Sequence, residues 1–82
     1  MKTKNAISAQ LASYEKSYEE TKDFESFKAN IYNTIHDIEM ITPINPVNSS
    51  YLFQKKLDCE NLDRNNAPNL LASLKNFLER LG

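Results

Sequence analysis

Apolar residues recur along the chain at helical spacing. Ile7, Leu11, Tyr14 and Tyr18 fall at i, i+4, i+7 and i+11, one face of a 3.6-residue period. Phe24, Phe27, Ile31, Ile35 and Ile38 form a second stripe, turned roughly 120° from the first at 100° per residue. Such a change of face needs either a break or one long helix that turns a different side inward at each end. The break is expected at Thr21-Lys22-Asp23, where the Asp23 carboxylate can accept orphan N–H groups and cap a new helix. The expectation is a partly flexible segment over residues 1–22 and a firm helix over 23–41.

Prolines punctuate the second half. Pro43 and Pro46 each lack an N–H and push the preceding residue into extended geometry, so they stop that helix. The turn is expected over 42–49, with Asn48, Ser49 or Ser50 capping the next helix. Leu52, Phe53, Leu57 and Leu62 follow. Leu70, Leu71, Leu74, Phe77, Leu78 and Leu81 then form the strongest apolar stripe in the chain. Pro68 either kinks one long helix or starts a separate one at its first turn. The fold class is therefore all-α: a helical hairpin about a Pro-x-Asn-Pro turn, or a small three- or four-helix bundle if Pro68 begins its own helix. The hairpin should bring Ile35 or Ile38 near Phe53 or Leu57. Its C-terminal stripe, above all Leu74, Phe77, Leu78 and Leu81, is expected to serve association more than folding, since end segments fray unless docked.

The helix over 23–41 carries a second, semi-apolar side: Ala29, Tyr32, His36 and Met40, at spacings of three and four. Two readings fit. The helix is touched from two sides within its own bundle, or Tyr32, His36 and Met40 form a second interface.

Composition narrows the chemistry. Leu, Ile, Val and Phe supply 20 of 82 residues, enough for one folded domain but not for a large core. The lone glycine is Gly82, so glycine-rich phosphate loops have no material. Ten basic and eleven acidic residues leave a net charge of −1. That favours self-association and gives no footprint for nucleic acid. One cysteine, Cys59, and one histidine, His36, support neither a disulfide framework nor a cysteine zinc site. The helical neighbours of His36 include no Ser or Cys nucleophile. His36-Asp37 on an exposed helix would suit a phosphoacceptor, but no lysine or glycine adjoins it. Glu15, Glu19, Glu20, Asp23 and Glu25 read as a solvated acidic face. No enzyme, metal or cofactor is expected. No cleavable signal is visible near Met1-Lys2-Thr3-Lys4, and no run approaches the ~18 apolar residues of a membrane span.

The second half resembles a known family. Pro43-Ile44-Asn45-Pro46 sits mid-chain; Gln54, Leu57, Asn65, Lys75 and Asn76 follow without a gap; Leu70, Leu71, Leu74, Phe77 and Leu81 continue the register. Over residues 43–81 this is similar to the needle subunits of bacterial type III secretion systems, two-helix proteins with a Pro-x-(Asn/Asp)-Pro turn. Pro68 departs from the family's continuous second helix, as do Ile44, Glu60 and Asn76 from its usual residues.

The resemblance implies a structural subunit that polymerises into a hollow needle or inner rod. It implies export to the bacterial surface without a cleaved signal, and a cytosolic chaperone on the C-terminal helix beforehand. Pro43, Asn45, Pro46, Gln54, Leu57, Asn65, Leu74 and Lys75 are the assembly residues carried over from it. The alternative is a small cytosolic helical module (immunity, anti-defence or regulatory) that binds one partner protein.

Overall fold

A computed structural model describes residues 3–81. Among these the chain forms four helices: α1 Lys4–Thr21, α2 Phe24–Ile41, α3 Pro46–Glu60 and α4 Ala67–Arg80. The fold is the all-α, four-helix outcome of the two anticipated. Successive helices joined by short turns pack as antiparallel neighbours. Here α1 lies on α2, α2 on α3, and α4 closes the ring against α1 and α3. The radius of gyration, 12.1 Å, is close to the ~12 Å of a compact chain this long.

Residues 4–21 are a helix from the first turn, where a partly flexible segment was expected. Thr3 caps it, its hydroxyl accepting from Ala6 N–H at 3.1 Å. Ile7 and Leu11 are wholly buried. Gln10 Nε2 donates to Thr34 Oγ1 at 3.1 Å and to Asp37 Oδ2 at 3.2 Å, tying α1 to α2. An isolated helix of this length is marginal; packing on α2 is what the sequence argument left out. The break at Thr21-Lys22-Asp23 lets both stripes face one core. Lys22 takes the left-handed conformation, φ 60°, and its N–H donates to Tyr18 O. Asp23 then caps α2, accepting from Ser26 N–H at 3.2 Å and from its hydroxyl at 2.8 Å. The hydroxyl bond, then the backbone one, holds the Asp23 carboxyl below its ordinary pKa.

The connection between α2 and α3 is residues 42–45, shorter than the expected 42–49. Pro46 opens α3 instead of delaying it, and the cap is Asn45, whose Oδ1 accepts from Asn48 N–H at 2.8 Å. A proline at a helix's first position loses an N–H that had no helical partner anyway. Asn48 Nδ2 also donates to Pro43 O at 3.0 Å. Between α3 and α4, Asp63 Oδ1 accepts from the N–H groups of Asn65 and Asn66, both at 2.8 Å. Pro68 lies in the first turn of α4. It starts a separate helix, so the chain pays no interior-proline penalty there.

The core joins all four helices. Ile7 and Leu11 from α1 meet Phe27, Ile31, Ile35 and Ile38 from α2, Leu52 and Cys59 from α3, and Leu70, Leu71, Leu74 and Leu78 from α4. Two expectations change. Phe53 and Leu57 do not line the hairpin; Leu52 and Cys59 do, one turn-phase away. The C-terminal stripe is intramolecular, with Leu74 0% and Leu78 1% exposed. Phe77 stacks on Tyr51 at 4.7 Å, the Tyr51 hydroxyl donates to Ser73 O at 3.1 Å, and Leu81 packs against the core edge.

Lys22 generates a stability prediction. A left-handed non-glycine residue costs ~1–2 kcal/mol, and glycine gives back ~0.5–1 of any gain as chain entropy. Lys22→Gly should therefore raise stability by about 0.5–1 kcal/mol, read as a higher urea midpoint at unchanged slope. An unchanged or lower midpoint would contradict the cap assignment.

Candidate functional site

Exposed large hydrophobic residues are unevenly distributed. Among the described residues they are Tyr32, Met40, Ile44, Val47, Phe53 and Leu57. All six lie on α2, α3 or the turn between them; α1 and α4 contribute none. Single exposed apolar residues are ordinary, whereas a concentration on one side of a small protein marks an interaction surface.

Helical phase explains the concentration. On α2, Ile31, Ile35 and Ile38 point inward, and Thr34 meets α1 through Gln10. Tyr32, His36 and Met40 recur every fourth residue on the remaining side. On α3, Leu52 and Cys59 point inward and Tyr51 turns to α4. That leaves Phe53 and Leu57, also four apart, outward. The two stripes flank one ion pair. Lys56, between Phe53 and Leu57 in sequence, pairs with Glu39, which lies between His36 and Met40. Glu39 Oε1 is shielded from solvent and takes its compensation as that ion pair. His36 Nδ1 stands 4.0 Å from the same oxygen, with its ring mostly exposed. Further along, a groove of about 310 Å³ runs between α2 and α3, with Tyr32 and Ala29 on one wall and Glu60 on the other.

The remaining residues singled out by the sequence are scattered. Pro43, Asn45 and Pro46 build the α2–α3 turn. Gln54 donates to Asp58 Oδ1 at 3.0 Å on the surface of α3. Leu57 is 36% exposed. Asn65 sits in the exposed α3–α4 connection. Lys75 pairs with Glu15 of α1 at 3.5 Å, and Leu74 and Leu78 are core. These residues do not converge on one face. Tyr32, His36 and Met40 do. Sequence reasoning missed Phe53 and Val47 as surface residues; counting from Leu52 to Cys59, seven apart, would have set the inward phase of α3.

Chemistry at the surface is sparse. Among the described residues, no group of three or more His, Cys, Asp or Glu stands where it would hold a metal ion. Among the described residues no helix is long and apolar enough to cross a membrane. Comparison with family models, with curated proteins and with solved structures finds no match.

Cys59 is wholly buried, and its thiol donates to Lys28 O at 3.5 Å. Desolvation is the main reason its pKa rises from 9.0 to about 11; Lys28 opposes this and Glu60 adds to it. A raised thiol pKa stabilises the fold fully below the unfolded value, near 9, and the benefit disappears as pH climbs through 11. Native protein at pH 8 should react with a disulfide reagent far more slowly than urea-unfolded protein. The stability lost between pH 9 and 11 should shrink in Cys59→Ala. Equal reaction rates in native and unfolded protein would refute the burial.

Proposed function

We propose that the chain is a small helical protein-interaction module that binds one partner protein through the outward face of α2, α3 and their turn. It acts by occupying or masking a surface, as a regulatory, immunity or anti-defence protein does, and works in the cytoplasm. The observation that carries this reading is the division of apolar residues. The α4 stripe is used up inside the bundle, and among the described residues every large hydrophobic left exposed lies on α2, α3 or the turn between them. Binding there needs no covalent chemistry, only a complementary apolar patch with a polar rim.

A second reading is the needle or inner-rod subunit. Its support is the reversal at Pro43–Pro46 with Asn45 as the cap, together with the outward Gln54, Leu57 and Asn65. Such a subunit would polymerise through open, heterologous contacts, would travel without a cleaved signal to the bacterial surface, and would meet a chaperone on its C-terminal helix first. It requires α4 to leave the core and bury Leu74 and Leu78 between subunits.

One double variant separates the two. An aspartate in a core loses the leucine's burial, ~1.5–3 kcal/mol, and adds the desolvation of a polar group. Under the module reading, Leu74→Asp with Leu78→Asp collapses the bundle, and circular dichroism shows most helicity gone. Wild-type protein stays small in sedimentation. Under the polymer reading the wild type forms filaments, and the variant keeps its helices while losing only assembly. That second pattern would overturn the module.

A further inference from the structure

The outward α2–α3 face sets its exposed apolar residues among neutral polar ones such as Asn33 and His36, and its charges nearly balance. Glu39 and Lys56, the charged pair on its seam, neutralise each other. Ala29 and Asn33 flank the α2 stripe, and Ser50 precedes Phe53 by three on α3. The groove adds Glu25, Lys28 and Glu60, so three carboxylates face two ammonium groups along the seam and a strongly charged partner finds little net counter-charge there. A neutral, apolar partner would match it, and a second copy of the chain supplies such a surface by construction. With a formal net charge of −1, two copies meet almost no long-range repulsion.

Area points the same way. Tyr32 is 39% exposed, Met40 61%, Phe53 63% and Leu57 36%, and the turn adds Ile44 at 96% and Val47 at 77%. Taking whole-residue areas near 200 Å², these six expose on the order of 700 Å², close to the ~800 Å² per partner of a standard interface.

We infer that the outward α2–α3 face takes a second copy of this chain, in a two-fold dimer with α2 antiparallel to α2 across the axis. The inference rests on the reading of this face as a docking surface and names its occupant. In an isologous contact a residue i of one copy meets a residue j of the other and j meets i, and only residues at the axis meet their own counterparts. His36 is the middle of the Tyr32–His36–Met40 stripe, so the axis passes beside it. Tyr32 of each copy then lies against Met40 of the other, a favourable thioether–aromatic contact. Phe53 and Leu57 close the edges. The dimer covers the face when no other protein holds it, and any other protein that uses the face must compete with it.

The test is sedimentation velocity of the full chain from about 1 to 300 µM, a range that spans ordinary reversible affinities. The expected result is a concentration-dependent dimer. Met40→Asp should weaken it at least ~30-fold, the size of a hot-spot truncation, with unchanged helicity. Symmetry gives an independent readout. His36→Cys should link to itself under mild oxidation, while Ser13→Cys, exposed on α1, should not; Cys59 is buried and does not compete. A monomer throughout the range overturns the dimer and leaves the face open to a different protein. A dimer untouched by Met40→Asp, or equal linking through Ser13→Cys, also overturns it. A polymer that Met40→Asp fails to dissolve overturns the dimer and the module together.

Discussion

Burial of the α4 stripe is the constraint on which the rest of the structure depends. Leu70, Leu71, Leu74 and Leu78 sit on one side of a 14-residue helix. Left in water, each forfeits ~1.5–3 kcal/mol of burial. No single partner helix can cover a stripe that wide, so α4 packs against both α1 and α3 and shares one core with the isoleucines of α2. That closes the ring. It also gives α1 a second apolar neighbour, since Ile7 and Leu11 already meet the isoleucines of α2. A domain of 82 residues has little burial to spare, and here every helix contributes.

The connections serve the same end. Each is too short to allow much choice, and each is held by side chains that satisfy backbone groups: Asp23 and Asn45 as caps, and Asp63 for the α3–α4 connection. Pro46 and Pro68 assist because they sit in first turns, where a missing N–H costs nothing. Polar ties add orientation: Gln10 to Thr34, Tyr51 to Ser73, Lys75 to Glu15. Once these faces are committed, geometry leaves one apolar surface unspent. It belongs to α2 and α3, the two helices with long apolar content on more than one side.

The all-helical class was legible because apolar residues recur at helical spacing along the chain, most strongly in α2 and α4, and a single valine leaves little material for strands. The break at Lys22 was legible from the phase change between Leu11 and Phe27. What the pattern hid was partnership. The α4 stripe is equally consistent with covering a neighbour or covering its own chain; only the position of α1 decides, and α1 looked weak because its stripe is short. Phe53 misled because it was grouped with Leu52 and Leu57, whereas Leu52 and Cys59 are the α3 residues that point inward. Asn45-Pro46 was read as a stop when its side chains start a helix. The Tyr32–His36–Met40 side was visible as a stripe. Its pairing with Phe53 and Leu57 depends on how α3 rotates against α2, which spacing alone does not fix.

Native-state hydrogen exchange, followed amide by amide on the full chain, tests the central claim most directly. If the α4 stripe closes the core, amides in the middle of α4 and of α1 open only with the whole domain. Their exchange free energies then equal those of α2. Loss of denaturant stability would lower all three together. Amides of residues 70–78 exchanging near the unprotected rate, while those of residues 31–38 stay protected, would contradict the account.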